Sequence, residues 1–445
     1  MKPKHVVVID VIGLSLKHFE NKQNMPHIAS LLDDGRLFGM KPVFPAVTLT
    51  AQASLVTGVY PQGHGVVSNG FYFPENFQIA FWEQAAGLIQ AEKIWERLKR
   101  KKPELKTAVL FLQNSLYASC DAVITPKPLH TEEGLVQWCY SKPVGFYEEL
   151  CDKIGQFNLF HYWGPLAAID SSRWIANAAV ETMARLHPNL MFVYLPHLDY
   201  CTQKYGPGSP VIQQELQNID QEVGRILSGI GDAGLIDETI FIVLSEYNFH
   251  AVQGDVPLNR ILRQNDLLSV RTIQGREYLD LEMSPAFAIV DHQIAHIHIK
   301  PGYVNAVRNI LEQVDEIDLI LDGKGKKQYH IDHQRTGDFI AVSAKDRWFS
   351  YYWWEDQNKA PDFAKQVDIH RKPGYDPLEL FLEPGTIHIS QDPCLIHGSH
   401  GYLSKTEDDR LPLLISGDWD GIANLKQFLN IVDIAGIIEK ILVEN

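Results

Sequence analysis

Three apolar runs that each lead to an acid constrain this chain most: His5 to Ile9 runs into Asp10, Leu190 to Leu195 is followed by Asp199, and Thr239 to Leu244 is followed by Ser245 and Glu246. Short runs that are apolar throughout and rich in β-branched residues read as strands buried on both faces. That is the pattern of a mostly parallel sheet flanked by helices, hence an α/β class. Such sheets place their chemistry at the carboxyl ends of their strands. A single acid there can be only a cap or a turn former. Three at equivalent ends of a βα series read as a metal-binding rim.

Phe44 to Gly58, FPAVTLTAQASLVTG, presents a hydroxyl to that rim. Pro45 disfavours helix just ahead of it, Thr48 or Thr50 can serve as N-cap, and Gly58 reads as the terminator. Thr48 then faces free backbone N–H groups and the positive end of a helix dipole, which favour an incoming phosphate. A threonine in that place can also be a cap and nothing more. Val59 to Pro74 reads as a loop in which Asn69 offers an amide donor to a phosphate oxygen, while His64, between two glycines, holds the loop backbone.

From about Pro257 the texture changes to shorter strands and turns, the mark of an inserted α+β unit. His296 and His298 share a strand face just after Asp291 and His292, and histidines so placed are most often structural. The run WFSYYWW, Trp348 to Trp354, reads as core or domain contact. Val367 to Pro377 gathers Asp368, His370, Arg371 and Lys372, either as a functional cluster or as an exposed turn with a solvated basic pair. Cys394 to Leu403 is a glycine-punctuated loop carrying His397 and His400, and its glycines allow close backbone approach.

Composition narrows the partners. At 445 residues the chain suits one large domain with an insertion or a second domain, and its 45% hydrophobic and 21% charged residues are those of an ordinary soluble protein. A net charge of −15 argues against a nucleic-acid polymer, though not against a small phosphate ester, because a metal reverses the local field. The five cysteines are scattered and lack CxxC spacing, so neither a disulfide framework nor a thiolate zinc site is expected. The apolar start is too short for a signal peptide or a membrane span. A cytoplasmic protein with no membrane partner is the expectation.

Taken together the motifs resemble the nucleotide pyrophosphatase/phosphodiesterase branch of the alkaline phosphatase superfamily, across nearly the whole chain. That family has an Asp after the first strand, an FPxxT segment followed by TGxYPxxHG, an Asn in the next loop, a DxxxH pair, an SDHG box and a late GxHGY histidine, arranged around two zinc ions. Here Asp10, FPAVT with Thr48, TGVYPQGHG, VSNGFY with Asn69, LDYCTQKYGP with Asp199, and GSHGY with His400 stand in the same order. Two boxes differ: Gln203 stands where the family has His, and Ser245-Glu246-Tyr247-Asn248 where it has Ser-Asp-His-Gly.

The resemblance implies an alkaline-phosphatase-like core, residues 1–256 and 387–445, with an inserted cap at 257–386. It implies a hydrolase of phosphodiesters or related phosphorus esters in which Thr48 forms a phosphothreonine, two divalent ions assist, and Asn69 binds a non-bridging oxygen. A phosphonate, sulfate or monoester substrate is the alternative on the same scaffold, and a binder of phosphorylated ligands without turnover is the alternative from another class. Asp10, Thr48 and Glu246 make an all-oxygen set that suits Mg²⁺ or Mn²⁺ better than Zn²⁺, whereas an imidazole, His400, stands with Asp199. His370 is expected to replace the histidine lost at Gln203, and Arg371 and Lys372 are the basic pair best suited to bind a substrate phosphate.

Overall fold

The computed structural model describes residues 3–132, 134–403, 406 and 409–444. Its centre is the strand His5–Val11, in which every residue is buried. It pairs in parallel with Leu190–Leu195 on one side and Thr239–Leu244 on the other. These are the three runs expected from their apolarity, at the same positions. The sheet continues through Thr107–Leu110 and Ala122–Pro126, both parallel, to Cys139–Lys142. Beyond Thr239–Leu244 come Leu411–Ser416, antiparallel, then Gly35–Lys41 and Phe428–Asn430, for nine strands in all.

Register decides where the acids emerge. Asp10 lies level with Tyr194 and Leu244, so all three central strands end together and Glu246 follows two residues past the edge. Asp199 falls in the first turn of the helix His197–Tyr205, which starts directly after its strand. Long helices Ile169–Leu186 and Val211–Asp232 pack against each other over the sheet. Among the described residues no helix is long and apolar enough to cross a membrane.

A turn follows at Gly13, with φ +81°. Short turns and the five-residue helix Pro26–Ser30 come after it. Proline has no N–H and would clash with the preceding turn, so a helix can start at Pro26 but not run through it. The buried Asp220 carboxylate takes up the free donors at that start, the backbone N–H groups of His27 and Ile28, at 3.0 and 2.8 Å.

A second, antiparallel sheet of four strands, in the order Ala286–Asp291, Ile294–Ile299, Phe339–Ser343 and Ile317–Leu321, builds its own apolar cluster with Trp348–Trp354. All seven residues of that aromatic run are buried. His296 and His298 do lie on one strand, and His296 fastens this sheet to the core. Its Nδ1 accepts from Gly337 N–H at 3.4 Å and its Nε2–H donates to the Val67 carbonyl at 3.1 Å, which leaves no room for a second ring proton.

Burial holds the His296 pKa down to about 3. A base depressed in the fold contributes stability that is present above its unfolded pKa, about 6.5, and is lost as pH falls towards the folded value. The unfolding free-energy gap between the native chain and His296→Gln, measured in urea, should therefore shrink by about 2 kcal/mol from pH 7 to pH 5. Asp10, Asp199 and Asp291, whose pKa values burial raises, push the other way and cancel in that comparison. A gap that stays constant with pH would show that His296 is not held neutral.

Candidate active site

Thr48 opens the helix Thr48–Thr57, all ten residues of which are buried, and Gly58 closes it in the left-handed conformation at φ +72°. The N-cap is Val47, so Thr48 is the first helical residue rather than the cap. Its hydroxyl is consequently not spent on capping. Thr48 Oγ1 lies 3.1 Å from Tyr247 Oη, and Tyr247 donates to Asp199 Oδ1 at 3.1 Å, so the Thr48 hydroxyl is the donor in the first of these bonds. Asn69 Oδ1 accepts from the Leu49 N–H at 2.9 Å, one residue into the helix.

Around this hydroxyl the fold brings together Asp10, Asp199, Glu246, Asn69 and His400, the positions expected from sequence. Asp10 and Glu246 are wholly buried, and none of their four carboxylate oxygens makes a hydrogen bond of regular geometry. Burial pushes Asp10 up to about 7 and Glu246 well above its ordinary range, the proximity of Asp10 adding to the latter. Gln52, one turn after Thr48, accepts from the Gln113 N–H at 2.6 Å, and its buried side-chain amide faces Glu246, whose pKa it lowers.

The Asp199 side is arranged differently. Gln203 Nε2 donates to Asp199 Oδ2 at 2.7 Å, and Tyr375 Oη donates to Gln203 Oε1 at 2.8 Å. Burial raises Asp199 to about 7 against its two donors, Tyr247 and Gln203. His400 gives its Nδ1 proton to the Ala46 carbonyl at 2.9 Å, so its Nε2 is bare, 3.9 Å from Asp199 Oδ1. Burial lowers its pKa to about 3, which keeps it neutral. The Tyr247 ring stacks on His400 at 3.6 Å and 6°.

Asp291 and His292 belong to the site too. They stand at the tip of the hairpin between Ala286–Asp291 and Ile294–Ile299, and this tip is buried where most hairpin turns are exposed. Asp291 accepts from Asn69 N–H at 2.8 Å, Asn69 Nδ2 at 3.0 Å and Ser68 Oγ at 2.9 Å. It therefore fixes the amide that holds the start of the Thr48 helix. His292 sits at φ +59°, and its ring packs on His400 at 3.6 Å and on Tyr375 at 3.7 Å. The signal was an Asp-His pair in a two-residue turn between apolar strands, but nothing in the sequence says which face of the molecule such a turn meets.

Three expected site residues lie elsewhere. His370 is exposed, whereas Asp199 and His400 are buried, so it does not supply the imidazole missing at Gln203. Val367 to Pro377 contains a turn: Arg371 is exposed and pairs with Asp368 and with Asp362, the latter at 2.8 Å. Lys372 is 1% exposed, with Nζ 2.8 Å from Asp376 and 2.7 Å from Glu379. Both cations are used up by carboxylates of their own segment, and neither is free to meet a phosphate.

No lysine or arginine pairs with Asp10, Asp199, Glu246 or Asp291 among the described residues. Uncompensated buried carboxylates are costly, so such a group is held either by protons or by a cation. The paired buried carboxyls of Asp10 and Glu246, whose oxygens make no hydrogen bond of regular geometry, fit a hard divalent ion. The Asp199 side, with both carboxylate oxygens engaged, does not fit the zinc site of the family pattern. Among the described residues, the one convergent group of three His, Cys, Asp or Glu ligands is His197, Cys201 and Glu215. Its His197 and Cys201 lie on another face of the Asp199 helix, and His197 Nε2 already pairs with Glu215 at 2.6 Å.

Comparison with known proteins places the chain in a family and a fold. Residues 6–376 match the model of the type I phosphodiesterase / nucleotide pyrophosphatase family. Ectonucleotide pyrophosphatase/phosphodiesterase family member 1 of Rattus norvegicus is 25% identical over 260 residues, 56% of this chain and 24% of the rat protein. Bis(5'-adenosyl)-triphosphatase ENPP4 of Bos taurus is 21% identical over 269 residues, 58% of this chain and 50% of the bovine one. The chain thus spans between a quarter and half of these relatives' lengths.

Among solved structures, murine ectonucleotide pyrophosphatase / phosphodiesterase 5 superposes with a TM-score of 0.62 at 16% identity, over 98% of this chain and 95% of that one. Phosphonoacetate hydrolase from Sinorhizobium meliloti 1021 does so with 0.64 at 14%, over 99% and 96%. The fold is therefore shared with both. A family model that extends from the first strand to Asp376, together with Asp10, Thr48, Asn69 and Asp199 gathered on one sheet edge, makes this chain a member of the type I phosphodiesterase / nucleotide pyrophosphatase family.

Proposed function

We propose that the chain hydrolyses phosphodiesters or related phosphorus esters, with Thr48 as the nucleophile. The observation that carries this reading is the Thr48 hydroxyl, freed from capping and donating through Tyr247 to Asp199. In the first step Thr48 Oγ forms a bond to phosphorus and the P–O bond to the leaving alcohol breaks. The Thr48 proton passes through Tyr247 Oη towards Asp199, and the departing alkoxide is protonated from water. Water then displaces Thr48 from phosphorus, so that a monoester leaves and the hydroxyl is restored. Asp10, Glu246 and Thr48 would hold a divalent ion, which would supply positive charge for the entering oxygen and the phosphoryl group.

Asn69 holds the start of the Thr48 helix through its Oδ1 and keeps one Nδ2 hydrogen beyond the one given to Asp291, which suits a non-bridging oxygen. The chemistry of the neighbours is consistent: an inactive form of the murine protein is solved with AMP, and the Sinorhizobium enzyme with phosphonoformate. Family membership supports the same reading.

Diesters should outrun monoesters. A dianionic phosphate needs an extra cation, and the pair that might have provided it, Arg371 and Lys372, is bound up in its own segment. Hydrolysis of a bis-aryl phosphate and its mono-aryl counterpart, across Mg²⁺, Mn²⁺ and Zn²⁺, tests this. A monoester preference of about tenfold or more, roughly 1.4 kcal/mol of transition-state discrimination, would overturn the assignment.

One observation favours a second reading. Thr48 is 3% exposed and the Asp199 side is satisfied by hydrogen bonds alone, as a chain that binds a phosphorylated ligand without turnover would allow. Ligand binding with no hydrolysis under any of the three metals would favour it.

A further inference from the structure

We infer that this centre takes one hard divalent cation, at Asp10 and Glu246, and that Tyr247 and Gln203 replace a second ion with a closed hydrogen-bond chain. The inference rests on the functional reading above and deepens it. The two halves of the site differ in what their oxygens lack. On the Thr48 side, all four oxygens of Asp10 and Glu246 are buried with no hydrogen bond of regular geometry, and the two carboxyls lie close to each other and to the Gln52 amide. On the other side, Tyr247 donates to one oxygen of Asp199, Gln203 to the second, and Tyr375 to the Gln203 carbonyl, at 3.1, 2.7 and 2.8 Å.

On that side each Asp199 oxygen already accepts a hydrogen bond, the Gln203 side chain is tied to Asp199 and Tyr375, and His400 Nε2 is a buried nitrogen without a hydrogen bond. A carboxylate so held and a neutral imidazole fall short of the three or four ligands a divalent ion needs. Opening the chain would leave the Tyr247, Gln203 and Tyr375 donors buried without acceptors, a penalty for each polar group. The Tyr247 ring also covers His400, stacked on it almost in parallel. The phenol oxygen, bonded to both Thr48 and Asp199, thus bridges the nucleophile to the opposite carboxylate. Tyr247 is in this sense a positioning residue for Thr48.

The test is metal stoichiometry, read without substrate. Full-length chain stripped with a chelator is titrated with Mn²⁺, following heat by calorimetry and free Mn²⁺ by electron paramagnetic resonance. One ion per chain is expected. Glu246→Gln and Asp10→Asn, both close in shape to the native residues and checked for folding by circular dichroism, should each weaken binding at least tenfold. Tyr247→Phe keeps the stacked ring, and it should keep one ion while lowering kcat more than it changes KM. The double replacement Gln203→His with Tyr247→His should raise the count to two, which a merely structural tyrosine would not do. Two ions or none on the native chain, or unchanged Mn²⁺ binding by Glu246→Gln, would overturn the inference. A single bound ion with no hydrolysis of any phosphorus ester would leave it standing and remove the proposed function instead.

Discussion

Replacing Thr48 by alanine should lower diester hydrolysis by about 10³-fold or more while hardly moving the melting temperature. A covalent nucleophile has no substitute in the site, and its removal in comparable triads costs several orders of magnitude. The structural cost is small because Thr48 does not cap its helix: what is lost is one hydrogen bond, to Tyr247 at 3.1 Å, worth about 0.5–1.5 kcal/mol. Thr48→Ser keeps the hydroxyl and should keep part of the activity. Initial rates on a bis-aryl phosphate and a thermal scan decide it. Full turnover by the alanine variant would rule out the phosphothreonine route, and a collapse in melting temperature would show that Thr48 is held for the fold.

Lys372→Met should have the largest effect on stability, a loss of about 3–5 kcal/mol, because it strands two buried carboxylates. Lys372 is 1% exposed, and its Nζ lies 2.8 Å from Asp376 and 2.7 Å from Glu379. Burial acts to lower its pKa, but the two acids outweigh that and hold it above its ordinary value. Glu379 in turn accepts from the Trp163 indole, so the ion cluster joins several segments. Urea unfolding of the variant, compared with the native chain, measures the loss. A difference below about 1 kcal/mol would mean the lysine is not a structural cation, and would restore the role in phosphate binding that its position in the sequence suggested.

That contrast marks the limit of what pattern reading reaches. In VDIHRKPGYDP the cluster of Asp368, His370, Arg371 and Lys372 has the residue types of a functional site, yet its charges are neutralised from within. Sequence composition shows which charges are present but not how they pair, and pairing depends on a turn whose direction is set by Gly374 fitting closely against Tyr351 and Val290. His370 points to the same limit: it was expected to bring an imidazole to Asp199 and His400 but lies exposed, while His292, from a hairpin far earlier, occupies the space beside His400.

By itself the sequence determined the parallel sheet, its three acid-tipped central strands, a helix following Pro45 and the glycine that ends it, though not that Val47 rather than a threonine caps that helix. These follow from local rules: unbroken apolar runs must be buried on both faces, and a helix ends where a residue can take positive φ without cost. Tertiary structure alone decided that Tyr247 lies between Thr48 and Asp199, that Asp291 anchors Asn69, and that the carboxyls of Asp10 and Glu246 are buried side by side with no cationic side chain paired to them among the described residues. Those contacts join residues that are tens to hundreds of positions apart. Each depends on the register of the sheet and on where a buried hairpin tip meets it, distances that no local preference encodes.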